Sequence, residues 1–321
     1  MLDDETRARF EAQAEMLANR VQKRRRHLGK RFARERIDVF RLYDWDIPEI
    51  RAVVDWYAGH LVVGEYVRRQ SVPEWLPMMG AAVAHALDVP RENLHLKARI
   101  AGKQDGRRYA RLDTTDRRIV VAERDLKFLV NPYDFVDTGL FADHRDTRQM
   151  VRTLAAGRDL LNLYCYTGSF SCYAARGGAR RTLSVDRSES AVNWARDNFK
   201  LNGLALETNL LAQQDAFVFL KKARLGDLRF DLAVVDPPSF STTRGRRTDF
   251  DLAQDHPRLL RGVVEVLRPG AILIFSTNHQ GFEARLEDLP VSEATEITDQ
   301  TIPEDYAGKQ RPIHRCWRIT V

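Results

Sequence analysis

The sequence predicts an α/β fold, a largely parallel sheet flanked by helices, carried behind a smaller α+β domain and a basic N-terminal helix. Three strand ends predict it. The apolar strand Asp159 to Tyr164 runs into the turn Cys165-Tyr166-Thr167-Gly168-Ser169. A second, Thr182 to Val185, stops at Asp186, and a third, Leu232 to Val235, stops at Asp236-Pro237-Pro238-Ser239-Phe240. Short apolar runs that each deliver small or polar residues at the carboxyl end describe buried parallel strands around a ligand crevice, the Rossmann-like arrangement.

Length and composition set the outer bounds. A chain of 321 residues suits a catalytic domain plus an appendage, and 44% hydrophobic residues supply a core. No apolar stretch approaches a membrane span, and Met1-Leu2-Asp3-Asp4-Glu5 is too acidic for a signal peptide, so no membrane is expected. Three cysteines without metal spacing fit a reducing cytoplasm and no metal. The net charge of +6 favours an acidic partner.

Residues 1–36 read as a helix, with Phe10, Ala14, Leu17, Val21 and Leu28 near helical spacing. Between Arg20 and Arg36 a run of cations that includes Arg24, Arg25 and Lys30 is relieved only by Glu35. Unrelieved like charge destabilises a helix, which points to a polyanion. Residues 37–130 read as a small α+β, RNA-binding domain. Its strands are Val39 to Tyr43, Leu61 to Val67 and Leu94 to Arg99, with a helix from Pro73 to Leu87 and a mobile tip at Gly102 to Arg108. Residues 131–321 alternate strand and helix. Helices are expected over Arg148 to Leu154, Gly168 to Arg176 and Ser188 to Asn202. Later strands are Thr208 to Gln214, Phe230 to Asp236, Ala271 to Ser276 after Pro269-Gly270, Glu293 to Thr298 and Cys316 to Thr320.

The chemistry lies at the strand ends. Gly168 lets backbone approach a ligand at a helix N-terminus, or serves only a strand-to-helix turn. A dinucleotide fingerprint would need further glycines, which disfavours an NAD oxidoreductase. Asp186 is placed to accept both ribose hydroxyls, or to cap the next helix; Asp215 is placed for an adenine amine, or likewise for a cap. At Asp236-Pro237-Pro238-Ser239-Phe240 two prolines stiffen the backbone and leave carbonyls exposed beside an aromatic. This rigid edge suits a flat base held near a methyl donor, so the cofactor expected is S-adenosyl-L-methionine (SAM), with S-adenosyl-L-homocysteine (SAH) as product.

The segments NPYDFVDTGLFADHR (Asn131 to Arg145), NLYCYTGSF, SVDRS, DPPSF, FSTN and RPIHRCW resemble the guanine-N7 methyltransferase (RlmK) half of the bifunctional 23S rRNA methyltransferases (RlmKL). More distantly they resemble the RlmI-like cytosine-C5 enzymes. LANRVQKR, RLYDWDIPE and VVGEYV extend the likeness back to about Met16; DTGLFADHR and RPIHRCW are its most specific parts. The resemblance implies a class I SAM methyltransferase. Cofactor is expected on Leu140, Phe141, Asp143, Arg145, Asn162, Tyr166, Thr167, Gly168, Ser169, Asp186, Arg187, Asp215, Ala216 and Asp236. Arg145 would pair the methionine carboxylate and Phe141 would cover the sulfonium. The guanine-N2 half of such enzymes does not match this chain, which leaves room for a separate guanine-N2 methyltransferase as partner.

Cytosine C5 needs a cysteine thiolate to add at C6, and Ser239 to Ser241 and Ser276 to Asn278 stand where it would sit. Guanine N7 has an in-plane lone pair and needs neither nucleophile nor base. The expected function is therefore SAM-dependent formation of 7-methylguanine in 23S rRNA or a large-subunit precursor, in the cytoplasm. Asp236, Pro237 and Pro238 would be catalytic; Phe240, Asn278, Arg311, His314, Arg24, Arg25 and Lys30 would meet RNA. Other base positions, 5-methylcytosine or an exocyclic amine, and a non-catalytic SAM-fold ribosome assembly factor are the alternatives.

Overall fold

The structure, a computed structural model, describes residues 2–100, 113–243 and 246–321. It divides into two compact units, Met1–Ala142 and Asp143–Val321, where the sequence pattern placed the division after Val130. The tip expected at Gly102 to Arg108 lies outside the described residues.

The first unit opens with α1 (Asp4–Arg34), capped by Asp3, whose side chain accepts the Thr6 N–H at 2.7 Å. Acids in its first turn and Arg31 and Arg34 in its last complement the helix dipole. Phe10, Leu17, Val21, Leu28 and Phe32 form its buried stripe. A four-stranded sheet follows in the order β1 (Val39–Asp44), β2 (Ala52–Tyr57), β3 (His60–Val67), β4 (Leu94–Ile100). Ala58 and Gly59, at φ +48° and +94°, make the tight hairpin between β2 and β3. Helix α2 (Trp75–Ala86) carries the crossover to β4, which pairs parallel to β3. The hairpin β5 (Ile119–Glu123) and β6 (Leu126–Val130) completes the unit.

In the second unit α3 (Arg145–Leu154) leads into β7 (Asp159–Leu163), α4 (Ser169–Arg176), β8 (Arg181–Asp186), α5 (Glu189–Leu201), β9 (Asn209–Gln213) and α6 (Ala216–Leu225). Then come β10 (Phe230–Val235), the hairpin β11 (Phe240–Thr243) and β12 (Arg246–Asp251), α7 (Leu252–Val264), β13 (Leu267–Thr277), β14 (Glu293–Glu296), α8 (Thr298–Thr301) and β15 (Arg315–Thr320). The main sheet has the order β14-β15-β13-β10-β7-β8-β9. Strand β15 alone runs against the others, because β13 and β14 both pair with it antiparallel. Alternation sorts the central side chains. Leu161, Leu163, Ala233, Val235, Leu273 and Phe275 face α6 and α7, whereas Leu160, Leu232, Val234, Ile272 and Ile274 join Val151 of α3 and Phe170 of α4. Being covered on both faces, β10 and β13 read as unbroken apolar runs over Leu232–Val235 and Ala271–Phe275, and β7 is interrupted only by the buried Asn162. The fold departs from expectation at β13, which starts before Pro269-Gly270, and at β11–β12, a hairpin where only a rigid loop was expected.

Candidate active site

Strand β7 hands over to α4 through a turn in which Tyr164, Tyr166 and Gly168 all take positive φ, at +57°, +48° and +75°. Left-handed tyrosines are sparsely populated states that persist only where neighbours hold them. Two ties hold this one. Asn198 of α5 donates its Nδ2–H to the Thr167 carbonyl at 2.9 Å, and Asp186 Oδ2 accepts the Tyr166 N–H at 3.0 Å. A Cβ on Gly168 would fall 2.9 Å from both Ala195 Cβ and Phe199 Cε1. Packing on α5, together with the positive φ, is thus what requires glycine here.

Asp186 does two jobs of its own. Its Oδ1 accepts the Ser188 N–H at 2.9 Å, while Ser188 Oγ, not Asp186, caps α5 by accepting the Ala191 N–H at 3.3 Å. Burial raises the Asp186 carboxyl above the usual range, opposed by the Ser188 and Tyr166 N–H bonds. Each oxygen accepts one of these two N–H groups, and the Arg187 N–H lowers the carboxyl as well. Asp215 is the cap of α6: its Oδ1 accepts the Phe217 and Val218 N–H groups at 3.0 and 3.1 Å, which leaves Oδ2 without a hydrogen bond among the described residues.

The sheet register aligns these ends. Phe275, Val235, Leu163, Val185 and Ala212 form one row, and Asp236 and Asp186 each follow it by one residue. Two strand spacings, about 10 Å, separate the two acids. Asp236 is itself tied down. Ser276 Oγ donates to its Oδ1 at 2.7 Å, and His144 Nε2 lies 3.4 Å from its Oδ2. Beyond the prolines, Ser239 Oγ donates to Asn278 Oδ1 at 3.2 Å, and Phe240 meets the His279 ring edge-on at 5.6 Å.

Other expected residues are used differently. Arg145 is buried and donates through Nη2 to the buried Asp305, so an internal anion already balances the charge expected to meet a cofactor carboxylate. Asn162 points into the protein: its Nδ2 donates to Ser171 Oγ at 3.0 Å, which in turn bonds Ser184. His314, expected at RNA, is 1% exposed, with Nδ1 3.0 Å from Asp143 Oδ2 and Nε2 3.1 Å from Thr301 Oγ1. It is a packed partner of Asp143, not a surface contact. Arg25 lies over the Trp56 ring at 4.4 Å and is half-buried, as is Arg24, while Lys30 is exposed. Arg187, Arg311 and Asn278 are exposed, Ser169 begins α4, and Ala216 is buried at the start of α6. Leu140, buried, and Phe141, 41% exposed, belong to the first unit. His144 and Ser276 were missed. The signal was at hand, since His144 lies between Asp143 and Arg145 in a stretch already singled out.

An open sheet with one reversed strand set between β14 and β13, carboxylates at the ends of β8, β9 and β10, and a diproline define a class I methyltransferase. The donor set also fits the cofactor: carboxylates attract a sulfonium but would repel a diphosphate. The profile of the S-adenosylmethionine-dependent methyltransferase family matches residues 52–295. Ribosomal RNA large subunit methyltransferase K of Neisseria meningitidis is 40% identical over 311 residues, 94% of this chain and 86% of that protein. Ribosomal RNA large subunit methyltransferase K/L of Shewanella loihica is 40% identical over 314 residues, 95% of this chain but 43% of its own length. The chain thus spans less than half of the K/L relatives it matches. Among solved structures, the SAH complex of SMU.776 aligns at a TM-score of 0.74 over 97% of this chain and 82% of that one, with 23% identity. A SAM-dependent methyltransferase from Streptococcus mutans aligns at 0.78 over 96% and 81%, also at 23%; both likenesses concern the fold alone. The chain belongs to the SAM-dependent methyltransferase family, in the ribosomal RNA large subunit methyltransferase K/L group, and SAM is its cofactor.

Proposed function

We propose that this protein methylates guanine N7 in 23S rRNA or a large-subunit precursor. The observation that carries the choice of atom is the state of the thiols. Cys165, Cys172 and Cys316 are all buried, and burial pushes every one of them well above the ordinary thiol range. A pyrimidine C5 mechanism needs a thiolate within reach of the base, and all three cysteines of the chain are locked in the core as thiols. N7 attacks with its own lone pair and has no proton to lose.

SAM supplies the activated methyl group. Asp186 is the acceptor for its ribose hydroxyls, and Asp215 Oδ2 for an amine donor. Pro237 and Pro238 fix the backbone against which the base is placed, and Phe240 offers a ring beside it. Positioning of this kind is worth some ~7 kcal/mol or more in effective molarity. The imidazole ring of guanine gains positive charge as N7 is alkylated, and the fixed carboxylate of Asp236 opposes the cost of that charge.

RNA binding energy is assigned to the first unit. On α1 the exposed residues Lys23, Arg26, Lys30 and Arg34 recur at helical spacing and make one cationic face. Nucleoside mass spectrometry of 23S rRNA, free or as precursor particles, treated with the protein and SAM tests the assignment. The expected product is 7-methylguanosine. A 5-methylcytidine or an N-methylated amine would overturn it.

A further inference from the structure

We infer that His144 is a positioning residue for methyl transfer: its Nε2–H, set between the carboxylates of Asp143 and Asp236, fixes the acid that opens the diproline. The inference rests on the reading that Asp236 faces the base. His144 is 4% exposed, and its Nε2 lies 3.4 Å from Asp236 Oδ2 and 3.8 Å from Asp143 Oδ2. Its other nitrogen, Nδ1, is buried and has no hydrogen-bond partner among the described residues. A neutral imidazole carries one proton, and only Nε2 has acceptor oxygens nearby, at 3.4 and 3.8 Å. A second proton would sit on Nδ1 with nothing to receive it. Burial holds the imidazole below its ordinary range, as do His314 and Arg148, against the opposite pull of Asp236 and Asp143. The donor is therefore neutral and single-sided.

The ring cannot swing away. It stacks on His314 with centroids 4.2 Å apart and planes 11° apart, and Phe170 closes on it edge-to-face at 5.6 Å. His314 is pinned in turn by Asp143 and Thr301. Asp143, His144 and His314 lie close enough together to suggest a metal site. The stacking argues against one: imidazole lone pairs lie in the ring planes, and two nearly parallel planes do not converge on one ion. What the geometry offers is a clamp. Ser276 donates to one oxygen of Asp236 at 2.7 Å, and His144 Nε2 lies 3.4 Å from the other. An acid held this way faces developing positive charge without reorganising, whereas a free one would have to be oriented at each turnover.

Two substitutions separate the donor from the ring. H144F keeps a ring for the stack and removes the N–H; H144Q removes the ring and keeps an N–H donor near the Nε2 position. Total methyl transfer from radiolabelled SAM into large-subunit rRNA is measured for both, whichever base receives it. The expected result is a fall in kcat of about tenfold or more for H144F, with KM for SAM little changed, and recovery of most of that loss in H144Q. Equal activity of H144F and wild type, or equal loss in both variants, would overturn the inference. Imidazole 15N spectra of the wild-type protein decide independently of any substrate. A proton on Nε2 with Nδ1 bare is expected at neutral pH; the opposite tautomer, or an imidazolium, sinks the idea. Should the wild type methylate no rRNA, the substrate reading fails while the spectra still judge the clamp.

Discussion

Asp186 Oδ2 accepts the Tyr166 N–H at 3.0 Å, so the acid at the end of β8 pins the left-handed turn at the end of β7. One carboxylate thereby shapes two walls of the crevice. A carboxylate has about four acceptor sites and three backbone N–H groups act on this one, so capacity remains for a ribose hydroxyl, and the loss of Asp186 should be felt in cofactor affinity. Asp186→Ala is expected to weaken SAH binding by the ~1.5–3 kcal/mol typical of hydrogen bonds to a charged group, about 10- to 150-fold. Titration calorimetry reads it directly. Unchanged affinity would leave Asp186 with the turn alone.

Arg145 and Asp305 form a buried ion pair, at 2% and 5% exposure. Removing one partner strands the other charge away from water, at a cost of about 3–5 kcal/mol. Arg145→Met should therefore lower the unfolding midpoint sharply, and the double variant with Asp305→Asn should recover part of the loss. If Arg145 instead served the cofactor, SAH affinity would collapse while stability held. Measuring both quantities on the same variants distinguishes the two outcomes.

How far the sequence could lead depended on the range of the interactions involved. Strand β10 was legible because burial on both faces leaves Leu232 to Val235 an unbroken apolar run; β7 and β8 carry Asn162, Thr182 and Ser184 within them, and the acids that end β8 and follow β10, Asp186 and Asp236, stand out by contrast. Gly168 was legible as a turn, but its collision with Ala195 and Phe199 depends on α5 returning across the turn, which no local pattern records. The fates of Arg145, Asn162 and His314 were hidden for the same reason. Asp305 is 160 residues from Arg145, and Asp143 is 171 from His314. A polar residue in a motif looks like a ligand until its internal partner is known. The cysteines were the reverse case: Ser239 to Ser241 and Ser276 to Asn278 stand where an attacking thiol would sit, and the burial of Cys165, Cys172 and Cys316 adds a chemical reason.

His95 supplies a pH dependence in the first unit. Burial, together with His60, Lys97 and Arg117, lowers its pKa to about 4, from an ordinary 6.5. The unfolded chain therefore takes up a proton there before the folded one does. The stabilisation this represents is complete above pH 6.5 and is lost as pH falls toward 4, amounting to at most about 3 kcal/mol. Urea unfolding at pH 7.5 and pH 5 should show the loss, and His95→Gln should reduce it. An equal loss in the variant would assign the effect to other groups.

The cationic face of α1 makes the last prediction. Lys23, Arg26, Lys30 and Arg34 are exposed on one side of the helix, whereas Arg25 is spent on Trp56 at 4.4 Å and on Phe40 at 5.6 Å. If the exposed four meet RNA phosphates, replacing them with Gln releases fewer counterions on binding. Affinity for rRNA should fall, and the slope of log K against log salt should become shallower by about 0.7–0.9 per cation removed. Arg25→Gln should do the opposite: it costs stability through the lost ring contact and leaves the salt slope nearly as it was. A quadruple variant whose salt slope matches the wild type would show that this face is merely solvated, and that RNA is gripped elsewhere.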